Sequence, residues 1–104
     1  MSDVEWVGVS YGRQLLYIAL VCNEESHKVT LRFLHNRGGG VYEFKKGGIQ
    51  EEVDKQLIFY RNVQVVAQGK RGYEVLNMKD VRRSHAEFCK EASSHQKVSF
   101  IIPL

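Results

Sequence analysis

The sequence predicts a mainly β protein: a small antiparallel barrel with one C-terminal helix and a closing strand. Three observations predict it. Short runs of β-branched and aromatic residues recur between residues 4 and 76, separated by polar or glycine-bearing turns. One stretch near the C-terminus carries helical periodicity, with Val81, His85, Phe88 and Ala92 at spacings of four, three and four. The chain has 104 residues, enough for a single core, so strands and helix are expected to form one domain.

Taken in order, Val4–Tyr11 is rich in β-branched and aromatic residues and stops at Gly12. Leu15–Cys22 is an unbroken apolar run, the pattern of a central strand buried on both faces. Lys28–His35 alternates, with Val29, Leu31 and Phe33 on one face and Lys28, Thr30 and Arg32 on the other. A glycine turn at Gly38-Gly39-Gly40 leads into the short strand Val41–Phe44. Ile49–Lys55 is acidic and reads as a loop or a single helical turn. Gln56–Tyr60 and Val63–Val66 read as strand, interrupted at Arg61-Asn62. Gln68–Gly72 reads as a hairpin turn that returns through Tyr73–Leu76. The barrel therefore spans about 4–76. Asn77 is placed to cap a helix over about 78–92, with Asp80 three residues on. Val98, Phe100 and Ile102 then alternate in a last strand over about 97–102, ending at Pro103, which cannot donate to a ladder. Closure of the barrel beside Val4–Tyr11 is favoured for this strand; the alternative is a homodimer made through it.

Composition excludes several classes. Hydrophobic residues at 43% and charged residues at 26% are those of a globular chain, not of a disordered tail. No apolar run approaches membrane-spanning length, so no membrane partner is expected. The acidic lead Met1–Glu5 is not that of a secretory signal, so an intracellular, non-secreted protein is expected. Cys22 and Cys89 are accordingly read as free, buried thiols rather than a disulfide.

The net charge of +3 is uneven: residues 1–25 carry −3, 26–50 carry +4, 51–80 balance and 81–104 carry +2. A positive centre made of Lys28, Arg32, Arg37, Lys45 and Lys46, joined by Lys70 and Arg71, suits weak binding of DNA or RNA as well as it suits a solvated surface.

No motif of catalysis is present: no nucleophile elbow, no phosphate loop, no zinc-binding helix signature. His85 and Cys89 lie one helical turn apart, so a thiol–imidazole pair or two metal ligands are geometrically open. Both fall on or beside the apolar stripe and no second ligand pair accompanies them, so a half-buried histidine and a core cysteine are the default. Neither an enzyme nor a metal or cofactor site is expected. Gly69-Lys70-Arg71-Gly72 matches a backbone-clamping pattern of nucleic-acid binders, but its strand-like flanks make it a hairpin turn.

The aromatics concentrate on the first four strands: Trp6, Tyr11, Tyr17, Phe33, Tyr42 and Phe44. Together with the runs Trp6–Gly12, Leu16–Val21, Val29–His35 and Val41–Phe44, they resemble the Tudor-like, SH3-like barrel modules attached to chromatin and transposon-derived proteins. The resemblance covers about 4–66. It implies a non-enzymatic module of the nucleus that binds a partner protein or a histone-type peptide in an aromatic-lined groove, in some members a methyl-lysine reader. Carried over by position, the groove candidates are Trp6 or Tyr11, Tyr17, Phe33 and Tyr42. Where such modules place an acidic or amide residue to fix a ligand's cation, this chain has His35-Asn36-Arg37 and Lys45-Lys46, and only Asn36 and Glu43 could serve. A nucleic-acid-binding barrel using the basic residues is the competing reading, with aromatics stacking on bases and cations on phosphates.

Overall fold

The computed structural model describes residues 4–12, 14–70 and 72–101, the segment 92–101 by its helical backbone alone. Eight strands precede one helix: β1 Trp6–Tyr11, β2 Leu15–Glu24, β3 Lys28–Gly38, β4 Val41–Phe44, β5 Glu51–Asp54, β6 Ile58–Arg61, β7 Val65–Gln68, β8 Gly72–Val75 and α1 Met78–Ile101. They form one curled antiparallel sheet in the order β6-β1-β2-β3-β4-β8-β7, with β5 also paired to β3. The result is a small β half-barrel, compatible with an SH3-like or Tudor-like fold, carrying a single C-terminal helix.

The strands β1, β2 and β3 form its spine because between them they carry apolar side chains to both sides of the sheet. Val7 and Val9 of β1, Ala19 of β2 and Val29, Leu31 and Phe33 of β3 point to one side, where Val53 of β5 joins them. Ile18 and Leu34 point to the other, with Val63, Val75 and Val81. This is why β2 does not alternate in hydropathy. Each fully buried valine, leucine or isoleucine contributes about 1.5–3 kcal/mol, so neither layer is dispensable.

The edge of β3 changes partner midway. Lys28–Leu31 pair with β5, and Leu34–Gly38 pair with β4. Lys45 N–H reaches the Phe33 carbonyl at 3.4 Å where the two partners part. The strand β5 was expected as a loop or a helical turn. Its single apolar side chain, Val53, is buried against Val29, while Asp54 lies opposite Lys28. An acidic segment with one valine becomes a strand because β3 offers it a free edge and a cation.

Bulges explain two side chains that simple alternation misplaces. The β2–β3 register shifts between Val21 and Asn23, which leaves Cys22 as the extra residue. Cys22 is a free thiol, but it is exposed rather than buried as expected. The β1–β6 register shifts between Gly8 and Val9, and Phe59 is the extra residue there. Its ring lies on Gly8: a Cβ at that glycine would stand 2.8 Å from Phe59 Cζ.

The helix begins where the Asn77 carbonyl accepts the Val81 N–H at 3.1 Å. Its expected stripe packs: Val81 is fully buried, and Phe59 lies 4.9 Å from the His85 ring and 6.0 Å from Phe88, centroid to centroid. The Ala92 side chain lies outside the described residues. The helix does not stop near 92. It runs to Ile101, so residues 97–101 are helical and the expected closing strand over 97–102 is not formed. The reason lies in β1, whose two edges are already filled by β2 and β6. No edge is left beside it to close, and residues 97–101 simply continue the helical hydrogen-bond ladder. Ile102 and Pro103 lie outside the described residues.

Candidate interaction site

The five aromatic candidates do not converge on one box. Register places Tyr11, Tyr17 and Phe33 on the same face at one end of the sheet. Tyr17 and Phe33 meet edge to face at 5.5 Å, and Tyr11 stacks on Phe33 at 5.8 Å with planes 21° apart. Rings this close touch one another, and an ammonium group has no room between the two near-parallel faces. The open side is faced by the chain's own cation: Lys45 Nζ stands 5.7 Å from the Phe33 centroid and 5.9 Å from that of Tyr17.

Trp6 sits elsewhere, on the opposite face. It stacks on Phe44 at 5.8 Å and meets Tyr73 at 5.5 Å, while the Arg32 guanidinium lies 4.0 Å over the Phe44 ring. Arg32 Nε is buried without a hydrogen-bond partner, so this arginine is held by its stacking. Tyr73 was not among the site candidates. It comes from β8, whose pairing with β4 (Tyr42 opposite Tyr73) no local pattern announces.

Tyr42 faces a third place. Between the sheet and the first turns of α1 runs a groove of about 350 Å³. Its floor is Leu16, Ile18 and Leu34, with Tyr42 and Met78 as walls and Asn36 and Arg82 at the rim; Tyr17 and His35 complete the lining. Strand alternation accounts for Leu16, Ile18, Leu34, Asn36 and Tyr42. Asn36 lies opposite Tyr42 and Leu34 opposite Phe44, so all share the helix-side face. The Tyr17 ring is turned to Tyr11 and Phe33, which leaves Tyr42 as the groove's aromatic side chain. The Tyr42 hydroxyl points at Met78 Sδ, 4.0 Å away, and Asn36 Oδ1 accepts the Gly38 N–H at 2.8 Å, which fixes the rim. Arg82 is exposed and forms no ion pair among the described residues. An apolar floor with a few converging polar groups is the usual make-up of a binding cleft. Leu16, Leu34, Met78 and Arg82 were not singled out from the sequence, because only the docking of α1 makes them neighbours.

The basic residues are dispersed. Arg37 and Lys70 share a shallow hollow with Val41 and Gln68 between the β3–β4 and β7–β8 turns. Glu43 takes Arg37 in an ion pair at 3.2 Å and also contacts His35 Nε2 at 3.2 Å. Lys28 stands at the far end of β3, opposite Asp54. Arg32 stacks on Phe44, Lys45 covers the Tyr17–Phe33 corner, and Lys46 lies in the turn after β4. Arg71 lies outside the described residues.

An ion cluster ties the opposite corner of the sheet. Arg61 bonds Glu24 at 2.9 Å and Glu5 at 3.1 Å, and Lys55 bonds Glu24 at 2.9 Å. The Arg61 hydrogen bond, followed by that of Lys55, pulls the Glu24 carboxyl from 4.5 down to about 2. The cluster staples the ends of β1, β2 and β6.

The His85–Cys89 spacing becomes a contact. His85 Nε2 lies 3.4 Å from Cys89 Sγ and 3.2 Å from the Oγ of Ser10 on β1. Burial lowers the imidazole's pKa, and a hydrogen bond from the ring to the Gln14 backbone opposes that shift. Among the described residues no group of three or more metal-ligating side chains gathers, and no helix is long and apolar enough to cross a membrane. No family model, no curated protein and no solved structure matches this chain.

Proposed function

We propose that the chain is a non-enzymatic interaction module that takes a short segment of a partner protein into the groove beneath the head of α1. The observation that carries this reading is the joint presence of an apolar floor (Ile18 and Leu34), an aromatic wall (Tyr42) and an ion-pair-free Arg82 at the rim. Such a cleft suits a peptide with one apolar side chain for the floor and a carboxylate for Arg82. The same reading places the chain with the Tudor-like modules and its work in the nucleus, on histone-type or other chromatin peptides. The methyl-lysine variant is the less favoured form of it, because Lys45 already stands over Tyr17 and Phe33.

A peptide array of histone tails and acidic nuclear-protein segments tests the reading. Tyr42→Ala should weaken the captured peptides about tenfold while the fold survives, as expected for a half-buried aromatic anchor. Arg82→Glu should weaken the acid-bearing ones selectively. Binding that survives both changes would remove the groove as the site.

A further inference from the structure

Outside the groove, one cluster of nucleophilic and titratable side chains is assembled from three separate parts of the chain. Cys89 and His85 come from successive turns of α1, Ser10 from β1 and Gln14 from the β1–β2 turn. His85 Nε2 faces Cys89 Sγ at 3.4 Å and Ser10 Oγ at 3.2 Å. The ring is held from behind by Phe59 at 4.9 Å. Gln14, whose backbone bonds the imidazole, adopts the left-handed conformation at φ 62, which is unfavourable for a residue with a side chain. The turn thus spends backbone strain at the point where it supports the histidine. Ser10 is 3% exposed, whereas Cys89 is only half-buried, so the thiol is the member a small reagent can reach.

We propose that Cys89 is a reactive thiol, deprotonated by His85, that serves as a covalent modification site for small soft electrophiles. A nucleophile touching a base that a third group orients is the arrangement that activates thiols elsewhere. His85 Nε2 takes the thiol proton. The sulfur forms a bond to the electrophilic carbon, and the leaving group departs with its bonding pair. Burial lowers the basicity of the imidazole, so what supports the transfer is the 3.4 Å contact: Nε2 takes the proton as the carbon–sulfur bond forms, without a standing charged pair. The neighbours from the other elements, Ser10 of β1 and Phe59 of β6, are uncharged, so among the described contacts the histidine is the titratable partner. This inference is independent of the peptide groove, which shares no residue with the cluster.

The chain carries its own control. Cys22 is exposed, and its thiol donates to the Leu20 carbonyl at 3.8 Å. Limited alkylation of the intact chain with iodoacetamide, read at each cysteine by peptide mass spectrometry, compares the two thiols in one tube. At neutral pH Cys89 should react about tenfold faster than Cys22 despite its lower exposure. Its rate should flatten on the acid side, where an ordinary thiol still loses about tenfold per pH unit below about 8.5. His85→Gln should bring the Cys89 rate down to that of Cys22 or below, with the Cys22 rate unchanged. Cys89 reacting more slowly than Cys22 with an ordinary pH profile in the unaltered chain would overturn the proposal, whether or not the variant folds. A fast Cys89 whose rate ignores His85→Gln in a folded variant would also overturn it.

Discussion

Asn77 at the head of α1 holds Gln64 across the sheet's last crossover: its Oδ1 accepts the Gln64 N–H at 2.8 Å. Its Nδ2 points to the Tyr60 hydroxyl at 3.4 Å and to the Asn62 carbonyl at 3.5 Å. Asn62 is itself left-handed, at φ 65. A residue that reads as a helix cap therefore clamps the link between β6 and β7 to the helix. Asn77→Ala should cost about 1 kcal/mol, through the lost acceptor. Asn77→Asp, which keeps an acceptor oxygen, should recover most of it. Urea midpoints of the three chains decide, and equal midpoints would show the clamp to be energetically idle.

Gly8 has no room for a side chain. Phe59 Cζ would lie 2.8 Å from a Cβ there, and the same ring packs on His85 and Phe88. Gly8→Ala should therefore displace the ring and loosen α1 from β1, at a cost of about 1–3 kcal/mol. Trimming the ring with Phe59→Leu should make the second substitution markedly less costly than the first alone. Additive thermal shifts in the double variant would contradict this coupling.

The ion cluster makes an acid-side prediction. The folded Glu24 carboxyl titrates at about 2, below its ordinary 4.5, because Arg61 and then Lys55 bond its charged form. Its contribution is therefore fully present above about 4.5 and is lost as pH falls toward about 2. Glu24→Gln should lower stability on the neutral side, where the contribution is complete, and flatten the profile between about 4.5 and about 2, so that the two chains converge at the acid end. Denaturant midpoints measured at about pH 5 and about pH 3 on both chains provide the comparison.

Lys45 is not expected to hold a large share of the stability. An exposed cation over aromatic faces contributes about 0.5–1 kcal/mol, and Lys45→Ala should lose no more. It should not create a methyl-lysine site either, since Tyr11 and Phe33 are stacked at 5.8 Å with no gap to fill. Titration of the variant with a trimethyl-lysine peptide measures this directly, and saturable binding gained on removing Lys45 would restore the cage.

Nucleic-acid binding should be weak and shed by salt. Arg37 and Lys70 share a surface hollow, and Glu43 already holds Arg37. Two phosphate contacts correspond to a log–log salt slope of roughly −2. A slope several times steeper, from fluorescence anisotropy with a labelled duplex or single strand, would mean that a larger basic face is in use.

The sequence by itself determined what depends on neighbours along the chain. The strands β1 to β4, the turns between them and the stripe Val81, His85 and Phe88 follow from local periodicity, because backbone geometry repeats every two or 3.6 residues. Tertiary structure decided what depends on which edge is vacant and which faces meet. Glu51–Asp54 is a strand only because β3 has an open half-edge, and residues 97–101 stay helical where β1 has none left. Bulges at Cys22 and Phe59 turned side chains that alternation alone would have aimed elsewhere. The aromatic candidates were sorted into three places by strand register, and the groove at Tyr42 exists because α1 docks beside it. Hydrogen-bonding edges and packed faces are properties of residues far apart in sequence. They are settled only when the sheet closes, after each strand has already declared its own pattern.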